Sequence, residues 1–356
     1  MIPHLPGVIT GPEVCQTACS IAALQRADGM IPWFAGGHCD PWNHVETAMA
    51  LDLAGLRPAA ELAYEWLLQT QRPDGSWYNY YLGDAVEDRK LDTNVIAYVA
   101  TGIWHHYLLS EDRRFLERMF PMVERAIDFV LGLQTPRGEI IWARHTDSAP
   151  WSYALLTGSS SICLSLRCAC ALAAAGGDER PEWELAAVNL ASVIRHDPGA
   201  FEPKNRWAMD WYYPVLSGAL TPDDSITRLL DNYETFVMNG LGVRCVSDEP
   251  WVTAAETAEC ALAHFVAGDL ESSLELLGCT RRHRHRDGSY WTGLVYPEGR
   301  PGAGIAFPDQ ERSAYTAAAV ILAADAVAGS SAASGLFRGV DLPAVVTAEG
   351  SPVVEP

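Results

Sequence analysis

Residues 71–109 read QRPDGSWYNYYLGDAVEDRKLDTNVIAYVATGIWHHYLL. A helix ends near Gln71, because Pro73, Asp74 and Gly75 are turn residues. An aromatic loop from Trp77 to Tyr81 and an acidic one from Asp84 to Asp88 follow. Asp92 then offers its carboxylate to the free N–H groups of a new helix. That helix carries almost no charge before Glu111, as expected of a helix buried on all sides.

The same order recurs along the chain. Turn glycines fall at Gly29, Gly75, Gly138, Gly199, Gly242 and Gly288, a period of roughly 50 residues in the range of repeat architectures. Strand patterns are nearly absent. Connectors leaving a buried helix are short (GLRP, SE, AGGDERPE, LTPD, AGD), and those entering one are long and carry the glycines. Such alternation predicts an all-α chain, an (α/α)6 toroid of six inner and six outer helices with every long loop on one face. Residues 1–328 form this single domain, and the small-residue, Pro-rich stretch 329–356 reads as a flexible C-terminal tail.

Of the 12 tryptophans, nine fall in the long loops or at the first turns of inner helices, which predicts an aromatic platform on that face. Trp42, Trp77, Tyr78, Trp151, Trp211, Tyr212, Trp251 and Trp291 are the expected substrate-binding aromatics, with Arg312 beside them. Acids collect there too: Asp40, Glu46, Asp92, Asp210, Asp248, Glu249, Glu256, Asp309 and Glu311. Asp40, Asp92, Asp210 and Asp309 stand where a helix cap is also expected. Glu46 and Glu256 lie inside buried helices, where an unpartnered carboxylate is costly. The candidate catalytic residues are Asp92, Glu256, Asp40, His44, Asp210 and Glu311. Glu256 has no cation at helical spacing, so burial is expected to raise its pKa and suit it to donate a proton; Asp92 would be the ionised member.

The net charge of −20 argues against nucleic acid and anionic membranes as partners, since phosphate recognition needs clustered Lys and Arg. The one basic run, Arg281 to Arg286, reads either as a solvated helix end or as a phosphate site at the cup rim. The start MIPHLPGVITGPEV shows no secretory signal, and nine cysteines without framework spacing suit reduced thiols in a cytoplasm. His38, Cys39, Asp40 and His44 match no zinc pattern, so no metal and no other cofactor is expected. The partner expected is a small-molecule substrate; oligomeric state is left open.

Gln71–Trp77 resembles the Q-x-x-x-G-x-W repeat of terpenoid cyclases and protein prenyltransferases, with weaker copies at Gln25–Trp33, Gln134–Trp142 and Asp287–Trp291. Residues 91–134 are similar to a hairpin of glucoamylase-type six-hairpin glycosidases. The chain to about residue 330, notably IPWFAGGHCDPWNHVETAMALDLAGL and AMDWYYP, resembles actinobacterial proteins labelled prenyltransferase. Both resemblances imply the toroid. Neither catalytic set carries over whole: the D-x-D-D acid motif and the zinc ligands are missing, and the loop 142–158 lacks the glucoamylase-type Glu. The leading expectation is an enzyme with an acidic, aromatic cup acting on a carbohydrate or glycoconjugate by carboxylate acid–base chemistry. The alternatives are a prenyltransferase or terpenoid-cyclase-like enzyme stabilising a carbocation, and a non-catalytic carbohydrate-binding toroid.

Overall fold

The computed structural model describes residues 1–146, 148–297 and 304–346. Outer and inner helices alternate along the chain: α1 (Gly11–Ala22), α2 (Pro41–Leu53), α3 (Arg57–Thr70), α4 and α5 (Thr93–Ala97 and Val99–Ser110), α6 (Arg113–Leu131), α7 (Leu156–Gly176), α8 (Pro181–His196), α9 (Ala208–Leu216), α10 (Pro222–Phe236), α11 (Ala254–Val266), α12 (Leu270–Cys279) and α13 (Ala314–Ala328). The inner ring runs α2, α4–α5, α7, α9, α11, α13, each packed on the next, and α13 returns to α2. This is the (α/α)6 toroid expected from connector lengths. The buried residues of these inner helices form one continuous hydrophobic core. Helix α7, long and apolar enough to cross a membrane, is 83% buried within the ring.

The Q-x-x-x-G turns hold neighbouring hairpins together. The Gln71 side-chain amide donates to the Gly75 carbonyl of its own turn at 3.0 Å and to the Met122 carbonyl of α6 at 2.8 Å. Gln25 bridges Gly29 and Ala59 in the same way, and Gln134 bridges Gly138 and Ala186. The glycine is required by contact as well as by conformation. Gly75 has φ +89°, and a Cβ there would fall 2.1 Å from the Arg125 carbonyl oxygen.

The long loops differ from expectation by holding short strands, in two three-stranded and two two-stranded sheets. These satisfy loop backbone that would otherwise lack partners. Asp309 does not start the last inner helix: it sits in a turn at φ +39°, and Ser313 holds the N-cap position.

The flexible-tail expectation also requires correction. Leu336 is fully buried, Ala333 and Val345 nearly so, and Phe337 packs against the core. Arg167 supplies the physical reason. This buried cation of α7 donates to the carbonyls of Pro343 at 2.8 Å and Ser217 at 3.3 Å, so the C-terminal segment satisfies a charge that the apolar ring cannot. Residues 347–356 of the expected tail lie outside the described residues. Leu336→Ala should therefore destabilise the protein by about 3 kcal/mol, the usual loss for a buried leucine. Urea unfolding measures this; an unchanged midpoint would mean that the segment does not pack.

Candidate active site

The inner helices all begin on the long-loop face, and their first turns surround a cavity of about 320 Å³. Two of them begin with a carboxylate that does two jobs. Asp40 Oδ1 accepts the Asn43 N–H at 3.0 Å, while Oδ2 accepts the Trp33 indole N–H at 2.6 Å and the Asn43 side-chain amide at 2.7 Å. Asp92 Oδ1 accepts the Asn94 N–H at 3.1 Å, and Oδ2 accepts the Trp142 indole N–H at 2.5 Å. Each aspartate thus caps its helix and anchors a tryptophan of a long loop. Lys90, the one cation lining the cavity among the described residues, lies 3.3 Å from Asp92 and over the Trp142 ring. Burial raises the pKa of both aspartates, opposed by Lys90 and Trp142 at Asp92 and by the donors of Asn43 and Trp33 at Asp40.

In the six-membered ring, α4 stands opposite α11, so Asp92 faces the wall that carries Glu256. Glu256 lies deep in the cup yet open to the cavity. Burial raises its pKa, offset by the Thr253 hydroxyl, and no Lys or Arg pairs with it among the described residues. One turn on, Glu259 accepts from the hydroxyls of Tyr212 and Tyr213. Its pKa is pushed up to about 8, first by burial and then by the charge of Glu256, against the two tyrosines. Glu46 accepts from Trp42 at 3.1 Å and Tyr98 at 3.4 Å, and burial together with the Glu259 charge raises it well above the carboxylate range. Burial thus favours the protonated forms of Glu46 and Glu259, which floor the cup. Beneath them lies a small axial cavity of about 30 Å³, stoppered by Phe337.

Of the expected catalytic residues, the structure brings Asp40, Asp92 and Glu256 to one cavity. His44 points away from it: its ring accepts the Ile31 N–H at 3.2 Å and donates to the Ala63 carbonyl at 2.8 Å. Burial lowers its pKa to about 4, so it is a neutral histidine joining α2 to α3. Asp210 stands behind the wall, accepting the Thr157 hydroxyl at 2.6 Å. Glu311 accepts the Thr292 hydroxyl beside a separate surface groove.

The aromatics divide similarly. Trp42 lines the cavity, Trp151 backs Trp142 at 4.4 Å, and Tyr212 acts through Glu259. Trp77 is fully buried with its indole on the Leu67 carbonyl, and Trp211 donates to the Arg228 carbonyl. Tyr78 lies between Arg72 and Arg89, Trp251 stacks on Phe307, and Trp291 meets His285 and Arg312. Arg312 itself is engaged by Asp287 and Ser289. None of these last six lines the cup. The basic run supports a seam: Arg281 and Arg284 bind Glu13 and Gln16 of α1.

Sequence reading missed Glu259, Lys90 and Tyr315 as lining residues. Glu259 had a legible signal, as a second acid one turn after Glu256 on an apolar helix. Lys90 had one too, two residues before Asp92 on the same side of an extended segment.

No protein-family model matches the chain. Solved structures do share its fold. A glycosidase variant in complex with glucose matches with a TM-score of 0.69 at 14% identity, over 90% of this chain and 96% of its own. D-mannose isomerase matches with a TM-score of 0.68 at 14% identity, over 89% and 96%. The molecule therefore has the (α/α)6 toroid fold of six-hairpin glycosidase-like proteins, with acids lining the cavity at the N-terminal ends of its inner helices. A protein of Mycolicibacterium hassiacum, MMP endo-(1,4)-3-O-methyl-alpha-D-mannosidase, is 51% identical over 343 residues, 96% of this chain and 93% of its own. The chain belongs to the family of that endo-mannosidase, a family of carbohydrate-acting enzymes.

Glu259 offers a test of the buried carboxyl floor. Its folded pKa of about 8 exceeds the ordinary 4.5, so its contribution to stability is complete below pH 4.5 and lost as pH rises to about 8. Gln mimics the protonated form. The melting temperature of Glu259→Gln relative to the parent should climb across that window and level off above it. A difference that stays flat from pH 5 to 9 would show that Glu259 ionises normally.

Proposed function

We propose that the protein is a glycoside hydrolase cleaving internal α-(1,4) linkages in chains of 3-O-methylmannose, as the name of its relative states for that enzyme. The observation that carries the chemistry is the placement of Glu256 and Asp92 on opposite walls of one cavity, in contrasting surroundings. Glu256, raised by burial and without a cation, is the general acid that protonates the glycosidic oxygen. Asp92, beside Lys90, is the ionised partner. It accepts a proton from the attacking water and stabilises positive charge at the anomeric carbon. We assign hydrolysis with inversion to this pair, because a cup of about 320 Å³ can hold a water beside the sugar. The aromatic walls Trp33, Trp42, Tyr80 and Trp142 offer ring faces to the C–H faces of a sugar.

The resemblance to prenyltransferases gains no support from the cup. A diphosphate would meet Asp40, Asp92, Glu46, Glu256 and Glu259 with Lys90 as the lone lining cation among the described residues, while the basic run is engaged at the ring seam.

On a (1→4)-α-linked 3-O-methylmannose oligosaccharide, Glu256→Gln should lower kcat by about a thousandfold, within the range for lost acid–base catalysis. Its melting temperature should stay near that of the parent. Asp92→Asn should cost a similar factor and, additionally, about 1–3 kcal/mol of stability, since an amide cannot accept from both the helix N–H and the Trp142 indole. The alkaline limb of kcat should track loss of the Glu256 proton as pH rises. Proton NMR of the first product should show β-anomer. Full activity in either variant removes that residue from the mechanism, and α-anomer rejects inversion.

A further inference from the structure

The first N–H of α4, α9, α11 and α13 donates to a long-loop carbonyl: Thr93 to Trp142, Ala208 to Cys245, Ala254 to Thr292 and Ala314 to Trp33. Helix α7, of 21 residues, has no such carbonyl among the described residues. Asp210 of α9 takes the Thr157 N–H at 3.3 Å and the Thr157 hydroxyl at 2.6 Å. Gly158, the next residue, lines the cup with bare backbone, in a turn whose N–H groups have no acceptor within the helix. Asn94 of the adjacent α4 stands beside it. A Cβ on Gly158 would lie 3.5 Å from the Asn94 Cβ, so no other side chain comes between them. Asn94 also lines the cup and is 5% exposed, and its Oδ1 has no hydrogen-bond partner among the described residues.

A buried acceptor left empty costs free energy until a ligand fills it. Here the Asn94 oxygen accepts and the first turn of α7 donates. A hydroxyl serves both, giving its proton to Oδ1 and receiving the N–H. A carboxylate or phosphate would suit the turn alone and would meet the acids of the cup, and an ether has no proton to give. Position in the chain selects the hydroxyl. Asn94 follows Asp92 by two residues, and its N–H donates to Asp92 Oδ1 at 3.1 Å. A sugar with its anomeric carbon at Asp92 therefore brings the hydroxyl of the adjoining carbon, C2, toward Asn94. In a (1→4)-linked chain with 3-O-methyl groups that hydroxyl is free. We infer that Asn94 and the first turn of α7 form the subsite for the 2-hydroxyl of the sugar whose bond is cut. This inference rests on the reading of the cup as a mannoside-cleaving site. Hydrogen bonds to that hydroxyl strengthen as charge develops at the anomeric carbon, so the subsite acts on kcat as well as KM.

The experiment compares a (1→4)-α-linked 3-O-methylmannose oligosaccharide with its 2-deoxy counterpart of equal length, on the parent, Asn94→Ala and Gly158→Ala. Comparing proteins cancels the different intrinsic reactivity of the two chains. Asn94→Ala should lower kcat/KM on the hydroxylated chain by about 100-fold and leave the 2-deoxy chain nearly untouched, because a site built for a hydroxyl loses its advantage only where the hydroxyl is present. Gly158→Ala sets a methyl group over the turn without a clash and should cut the ratio of the two chains by about tenfold or more. Neither variant should lower the melting temperature, since the Asn94 oxygen has no partner to lose and alanine favours a helix over glycine. A ratio of the two chains unmoved in both variants, or an equal loss on both chains, overturns the inference. Should neither chain be cleaved, calorimetric affinities of the two chains for the same proteins give the ratio instead. Selective binding of the hydroxylated chain that Asn94→Ala abolishes then sinks the hydrolase reading and keeps the subsite, while equal or absent binding overturns the subsite.

Discussion

The side-chain amide of a turn glutamine holds this ring together. Gln25, Gln71 and Gln134 each donate once within their own turn and once to an outer helix of the next hairpin. Every such residue converts a local turn into a contact between hairpins about 50 residues apart. The last turn of this kind has no later hairpin to join, so it closes on the first. Gln16 of α1 donates to the Arg286 carbonyl, Arg281 and Arg284 reach Glu13 and Gln16, and the Ala314 N–H meets the Trp33 carbonyl at 2.6 Å. The basic run is therefore the seam of the toroid rather than a site on its rim.

A closed ring places a second constraint on chemistry. Inner helices packed on all sides cannot send their first N–H groups to bulk water, so the acceptors must come from within the cup. Asp40 and Asp92 meet that need, and their second oxygens draw Trp33 and Trp142 inward as walls. Capping and site formation are thus one interaction. The same burial raises the proton affinity of Glu46 and Glu259 against the pull of their aromatic donors, leaving Glu256 exposed to the cavity above them. On the opposite face, Phe337 and Arg167 make the C-terminal segment part of the enclosure.

Several expectations failed for one shared reason. A tryptophan in a long loop can face the cup or the gap between hairpins, and composition treats both alike. Trp77 spends its indole on the Leu67 carbonyl and belongs to the gap. Trp33, four residues beyond the glycine of a similar turn, reaches Asp40 and belongs to the cup. His44 shares a helix with Glu46 but lies two residues away, about 200° around the helix, and so faces α3 instead. The small-residue segment after Gly329 lacked hydrophobic periodicity, and its docking depends on the donors of Arg167, far away in sequence.

Connector lengths, turn glycines and uncharged helices were sufficient to specify the toroid and the face on which its site lies, because these are local properties repeated six times. The acids opening α2 and α4 and the acid inside α11 were legible for the same reason, as carboxylates at positions that must be buried. Which of them face each other was not, since that depends on the order in which helices close the ring. Nor was the carboxyl floor legible, because the partners of Glu259 come from α9 and those of Glu46 from α2 and from Tyr98, between α4 and α5. Proton affinity in such a site is set by groups that only tertiary packing brings within a few ångströms, and no local pattern in the chain encodes it.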